Sequence, residues 1–132
     1  MRSNGGILHG QLSRVISEMG HTDRLVVSDA GLPIPMPVER VDLALRPGLP
    51  AFLNVLDAVL AELSVQAVTL SSEMREASPK MLEAVLERLG ERDLSYVPHI
   101  EFKARTADAR AIVRSGEFTP YANVILTSGV VY

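Results

Sequence analysis

His21, Asp23 and Asp29 stand close together in the run Gly20-His21-Thr22-Asp23-Arg24-Leu25-Val26-Val27-Ser28-Asp29. An imidazole ordinarily titrates near pH 6.5, so it gives and takes protons under physiological conditions. A carboxylate accepts hydrogen bonds from hydroxyls and backbone amides. Together they suit general acid/base chemistry on a substrate rich in hydroxyls. Each residue also has a plainer reading. His21 follows a predicted helix and can cap it by bonding a carbonyl. Asp29 can close an Asx-turn at the start of the next loop. Asp23 either orients the His21 ring or closes the turn around it.

A second cluster lies in Ser115-Gly116-Glu117-Phe118-Thr119-Pro120-Tyr121-Ala122-Asn123. Tyr121 offers a ring face and a hydroxyl, and Asn123 both a donor and an acceptor. That set fits a polyhydroxylated ligand; the alternative is an ordinary tight connection with Tyr121 half-buried. His99 opens a predicted helix, where it faces either a cleft or solvent.

Other chemistries find little footing. His21-Thr22-Asp23 is a His-x-Asp pair, and His9, Asp29 and His99 are conceivable further donors to a metal. No His-x-x-x-His or His-Glu-x-x-His spacing accompanies it, so no metal is expected. The chain has no cysteine, which removes thiolate ligands, thiol nucleophiles and disulfides. Gly-x-Ser-x-Gly, Gly-x-Gly-x-x-Gly and Gly-Lys-Ser/Thr are all absent, so neither covalent catalysis nor a phosphate-cradling loop is expected.

The elements that must hold these groups follow from hydrophobic spacing. Leu12, Val15, Ile16 and Met19 mark a helix from Gln11, with Gly20 placed to end it in left-handed conformation. Leu25 to Ser28 is a short buried strand with Asp29 at its end. Ala30 to Pro37 is a Gly/Pro-rich loop. Val41 to Leu45 predicts a strand. Pro50 suits the first turn of a helix whose stripe is Phe52, Leu53, Leu56, Val59, Leu60 and Leu63. Val65 to Leu70 is a strand, and Ser78-Pro79 starts a helix that runs to Gly90. Tyr96-Val97 is a short strand, and Pro98 opens a helix carrying His99, Phe102 and Lys103. Ala111 to Val113, Asn123 to Leu126 and the terminal Val130-Val131-Tyr132 are further strand candidates. Strands alternating with helices predict an α/β fold: one three-layer domain over residues 1–132, with a mixed, mostly parallel sheet and helices on both faces. In such sheets ligands sit beyond the carboxyl ends of strands, which draws attention to Asp29.

Composition narrows the class. Of 132 residues, 47 % are hydrophobic and 22 % charged, which is globular rather than disordered. Aromatics make up only 5 %, so Leu, Val, Ile and Ala must fill the core. The formal charge of −3, with no basic cluster, argues against nucleic acid as a partner. No apolar run approaches the roughly 20 residues of a membrane span, and the first residues lack the apolar core of a signal peptide. A cytoplasmic location is expected.

Three blocks resemble one known family. Gly20-His21-Thr22-Asp23 with Val26-Val27-Ser28-Asp29-Ala30-Gly31-Leu32-Pro33-Ile34-Pro35 is the first. Arg114-Ser115-Gly116-Glu117 with Pro120-Tyr121-Ala122-Asn123-Val124-Ile125-Leu126 is the second, and Gly129-Val130 the third. They are similar to the D-ribose pyranase (RbsD-like) family, which shares its fold with the L-fucose mutarotases; Arg40-Val41-Asp42 and Pro50-Ala51-Phe52 extend the likeness. The resemblance implies interconversion of the β-pyranose and β-furanose forms of free D-ribose, with help to anomer exchange and no cofactor. It implies His21 as the catalytic histidine and Asp29, His99, Tyr121, Ala122 and Asn123 as sugar contacts. It further implies a ring-shaped homodecamer with sites between subunits. Asp-Ala-Gly-Leu-Pro-Ile-Pro favours the ribose branch over the fucose branch. Met36 departs from a common lysine, Ser28 from an occasional cysteine, and Ser71 to Pro98 matches only in helical character. A fucose-type mutarotase and a non-catalytic sugar-binding or regulatory module are the alternatives.

Overall fold

Strand β1 (Arg24–Ser28) shows how the sheet is packed. Its side chains alternate across the sheet, as extended chain requires. Leu25 and Val27 enter the larger of two cores, and Val26 enters the smaller. All three are fully buried, so both faces of β1 are covered.

The computed structural model describes all residues, Met1–Tyr132. The chain runs α1 (Gly10–Glu18), β1, β2 (Glu39–Asp42), α2 (Phe52–Leu60), β3 (Val65–Ser71), α3 (Met74–Ala77), α4 (Pro79–Leu89), β4 (Asp93–Val97) and α5 (His99–Arg105). A 3₁₀ turn (Thr106–Asp108), β5 (Ala111–Arg114) and β6 (Val124–Ser128) complete it. The strands form one six-stranded sheet in the order β2-β5-β1-β6-β3-β4. β2, β5 and β1 pair in parallel, as do β3 and β4. β6 lies between β1 and β3 and runs antiparallel to both. The expected mixed, mostly parallel sheet is therefore the observed one.

The larger core lies under α1, α2 and α4. Leu12 and Val15, then Phe52, Val55, Leu56 and Val59, then Leu82, Val85 and Leu89 pack on alternate residues of the strands. The smaller core joins Val26, Ile112 and Ile125 to Phe102 of α5, with Leu32, Val38 and Val97 around them. Each buried Leu, Val or Phe contributes about 1.5–3 kcal/mol relative to exposure. Helices cover both faces, which gives three layers.

Several local expectations are corrected. Gly20 is not the left-handed residue after α1; Thr22 is, with φ 70°. Asp23 explains the shift. Its Oδ2 accepts from Gly20 N at 2.9 Å, and Thr22 N donates to Ser128 O at 2.9 Å. β2 stops at Asp42 rather than Leu45, because Asp42 Oδ1 accepts from Ala44 N and turns the chain. Pro50 precedes the helix instead of opening it: Phe52 N donates to Glu117 Oε1, and Pro50 O accepts from Gly116 N. α2 ends at Leu60, and Leu63 reaches the core from the loop beyond. The short helix α3 carried no periodic signal of its own. Val130-Val131-Tyr132 forms no strand; after Gly129 N donates to Ser64 O, Val131 and Tyr132 project into solvent.

Candidate functional site

The parallel strands end together at one edge of the sheet, and the cleft is there. Asp29 follows β1, Ser71 ends β3, His99 follows β4 through Pro98, and Arg114 ends β5. The antiparallel β6 starts at this edge, which brings Tyr121 and Asn123 alongside. A cleft of about 580 Å³ is lined by Asp29, His99, Lys103, Arg114, Glu117 and Tyr121, with the Ala30–Pro33 loop, Phe118 and Pro120. That is ample for a monosaccharide.

Asp29 is held from two sides. Its Oδ1 accepts from Gly31 N at 2.9 Å and Leu32 N at 2.8 Å, so the Asx-turn reading is realised. Its backbone N donates to Asn123 Oδ1 at 2.8 Å, and its Oδ2 accepts from Asn123 Nδ2 at 3.1 Å. A carboxylate has about four acceptor positions, so Oδ2 keeps one for a ligand hydroxyl.

Asn123 is fully buried, with both ends of its amide spent on Asp29. Ala122 is also fully buried, and its N donates to Thr119 O. Neither side chain lines the cleft of the single chain. Tyr121 does, held at φ 61° by the tight turn in which Asn123 N bonds Tyr121 O.

His99 sits against Tyr121, ring centroids 4.9 Å apart and nearly perpendicular, and stacks on Phe102 at 5.9 Å. Its Nδ1 is 2.9 Å from Ser71 Oγ. Its backbone N donates to both oxygens of Glu73, each at 3.0 Å. Burial pushes the imidazole below its ordinary value, aided by Lys103 and opposed by Glu73 and Asp29. His99 is therefore neutral at physiological pH. Glu73 lies below the usual carboxylate range, chiefly because of the hydrogen bond from His99 N.

Glu117 and Arg114 build the wall. Glu117 Oε1 takes the first amide of α2, and Oε2 accepts from Thr119 Oγ1 at 2.7 Å. Arg114 Nε donates to Ala30 O at 3.0 Å, and one terminal nitrogen reaches both oxygens of Asp42 at 3.2 Å. Ser71, Glu73, Lys103 and Arg114 were not among the expected site residues. Only the position of Ser71 and Arg114 at strand ends offered a clue.

His21 is elsewhere. It precedes β1 while Asp29 follows it, and five strand residues span roughly 16 Å. The His21 ring is exposed, and Nε2 is 3.1 Å from Gln66 Oε1 near the start of β3. Around it lie Met19, Glu62, Leu63, Ser128 and the terminal Val130, Val131 and Tyr132. It caps no helix. Asp23 closes the turn instead of orienting the ring. Within a single chain β1 therefore does not bring His21 and Asp29 to one cleft. His9 caps α1 through Leu12 N, Asp29 and His99 line the cleft, His21 and Asp23 lie at the other end of β1, and no three His, Asp or Glu are arranged to hold a metal ion.

The model of the RbsD / FucU transport protein family matches residues 2–131. The chain belongs to this family. Among curated members, a D-ribose pyranase of Laribacter hongkongensis is 51 % identical over 132 residues, covering 100 % of both chains. A D-ribose pyranase of Geobacillus kaustophilus is 47 % identical over 125 residues, covering 95 % of this chain and 92 % of its own. Among solved structures, Bacillus subtilis RbsD complexed with D-ribose superposes with a TM-score of 0.96 at 40 % identity, covering both chains fully. The fucose mutarotase of Streptococcus pneumoniae in complex with L-fucose shares the fold, with a TM-score of 0.79 at 24 % identity over 93 % of this chain and 94 % of that one. No helix is long and apolar enough to cross a membrane.

Proposed function

We propose that this chain is a D-ribose pyranase, interconverting the β-pyranose and β-furanose forms of free D-ribose and assisting anomer exchange. Full-length identity to D-ribose pyranases carries the reading. The cleft adds a rigid carboxylate, a neutral imidazole and a tyrosine around a volume suited to one sugar.

The reaction asks little of a protein. The anomeric hydroxyl loses its proton, the C1–O5 bond breaks, and O5 gains a proton, giving the open aldehyde. The C4 hydroxyl then adds to C1, losing its proton as the carbonyl oxygen gains one. Protons balance, nothing is oxidised or reduced, and no bond forms between sugar and protein. One acid/base group with hydrogen-bonding partners is chemically sufficient, and such help is typically worth about 10²–10⁴-fold. No cofactor enters this scheme.

In it, His21 exchanges protons with the ring oxygen and the anomeric hydroxyl. Asp29 accepts from a sugar hydroxyl through the free position on Oδ2, and Tyr121 and His99 hold others. Asn123 acts through Asp29, and Ala122 keeps the backbone between Tyr121 and Asn123 in place. Because His21 and the cleft lie at opposite ends of β1, His21 of a neighbouring copy completes each site. Exposed Val131 and Tyr132 beside His21, and exposed Phe118 at the cleft rim, supply apolar surface for that head-to-tail contact. Head-to-tail contacts form rings where the rotation between neighbours closes, in keeping with the decamer that the resemblance implies; light scattering on the purified protein measures the mass directly.

Magnetisation-exchange NMR on D-ribose at equilibrium tests the function. Exchange between β-pyranose and β-furanose signals that appears only with catalytic amounts of protein supports it. Exchange of L-fucose anomers but not of ribose ring forms would move the chain to the mutarotase branch. Ribose binding without exchange would make it a sugar-binding module.

A further inference from the structure

Ser71 is fully buried at the end of β3, and its hydroxyl has one protein partner, Nδ1 of His99 at 2.9 Å. A hydroxyl proton buried away from water needs an acceptor. The Nδ1 lone pair is the acceptor within reach. Ser71 Oγ therefore donates and Nδ1 accepts, which puts the ring proton on Nε2. The reverse arrangement, Nδ1–H to Ser71 Oγ, strands the serine proton in the core. Protonating the ring fully has the same effect.

The surroundings hold this arrangement. Glu73 clamps the His99 backbone N with both oxygens, and the rings of Phe102 and Tyr121 confine the imidazole. Lys103, one turn along α5, opposes a second proton, while Asp29 and Glu73 favour one. Arg114 is neutralised by Asp42.

We infer that Ser71 is a positioning residue that sets the tautomer of His99, so that His99 presents a neutral Nε2–H to the cleft as a hydrogen-bond donor. A neutral imidazole N–H is far too weak an acid to protonate a ring oxygen. His99 thus recognises a sugar oxygen, and proton exchange belongs to another group. The kinetic consequence rests on the D-ribose pyranase reading; the spectroscopic one does not.

The test is long-range ¹H–¹⁵N correlation spectroscopy of the full-length protein near pH 7.5, with His9 and His21 as internal references. The expected pattern for His99 is a protonated Nε2 and a hydrogen-bonded, unprotonated Nδ1. Ser71→Ala should convert it to a mixture of tautomers, and Ser71→Thr should restore the single form. In ribose exchange, Ser71→Ala should raise KM about five-fold with kcat little changed, the signature of lost binding rather than lost chemistry. A wild-type His99 protonated on Nδ1 overturns the inference. So does a tautomer unaltered in Ser71→Ala, or a kcat loss larger than the KM effect. The expected spectra from a protein that exchanges no ribose would leave the tautomer assignment standing and remove the pyranase reading instead.

Discussion

At the C-terminal end of β1, Asp29 is gripped by Gly31 N, Leu32 N and both ends of the Asn123 amide. At the N-terminal end, His21 rests on Gln66 alone and faces solvent. The two ends differ in how firmly their side chains are held, and the proposed mechanism gives them different tasks. A hydroxyl acceptor works by being already in place when the sugar arrives, so its position must be over-determined. In that mechanism a proton shuttle held as loosely as His21 acquires its surroundings from the neighbouring copy that docks on it. On the proposed mechanism, the contrast means that one chain builds the binding half of the site and leaves the chemical half to assembly.

The sharpest way to break this comparison is to remove each half separately. His21→Ala should slow β-pyranose/β-furanose exchange by about 10²–10⁴-fold, with ribose affinity largely kept. Full activity in that variant, measured by magnetisation exchange, would sink the assignment of His21. Asp29→Asn should instead lose binding. If the halves come from different chains, unfolding and reassembling the two inactive variants together should recover a fraction of the exchange rate. Recovery absent from a properly assembled mixture would place both halves in one chain.

Stability should follow the same division. Asn123→Ala leaves the half-buried Asp29 N–H without its acceptor and empties a fully buried amide site, and should cost about 2 kcal/mol in chemical denaturation. His21→Ala at an exposed turn should stay within about 0.5 kcal/mol. Gly116→Ala belongs with the costly group. A Cβ there would meet Leu49 O at 2.6 Å and Arg46 O at 2.7 Å, in the loop that supports the cleft wall. An equal loss from His21→Ala and Asn123→Ala would undo the contrast.

The smallest expected effect is on pH dependence. His99 titrates below its ordinary 6.5 in the folded chain, so below pH 6.5 the unfolded chain binds more protons at this residue. Stability from this source therefore falls as the pH drops through 6.5 and levels off below the folded value. Glu73, held below 4.5, adds stability above that pH which is lost as the pH falls through its folded value. Thermal melts between pH 7.5 and 5.5 should show a slope that His99→Gln flattens. Melts at lower pH should show one that Glu73→Gln removes. Unchanged slopes in those variants would refute the two assignments.

Much of the fold could be read from the chain because it is written locally. Apolar runs such as Leu25 to Val27 and the stripe from Phe52 to Val59 mark buried strands and helices whatever surrounds them. Gly20 and Thr22 show the limit: which of them turns left-handed depends on the Asp23 clasp of Gly20 N and also on Ser128, distant in sequence. The terminal Val130 to Tyr132 has strand character and no strand to pair with. In the site, Asp29 and Tyr121 could be found from position and type. Asn123 was identified as polar and useful, but its orientation toward Asp29 instead of the cleft depends on a pairing across β1 and β6. Ser71 gave no sign beyond its place at a strand end and Glu73 none at all, since their part is defined by His99, on a helix after the next strand. His21 carried chemical promise but not its location, because residues on either side of a strand are near in sequence and far apart in space.

The placement of β6 bears on how the chain acquires its structure. It comes last of the strands yet divides the sheet into β2-β5-β1 and β3-β4, and nothing else bonds the two groups within the sheet. During synthesis β1 has no strand partner until β5 and β6 emerge, and β3 has only β4, so apolar edges stay open to wrong partners. Only when Val124 to Ser128 leaves the ribosome can it insert between them, so folding is completed by a late, long-range step rather than built up from the first residue onward.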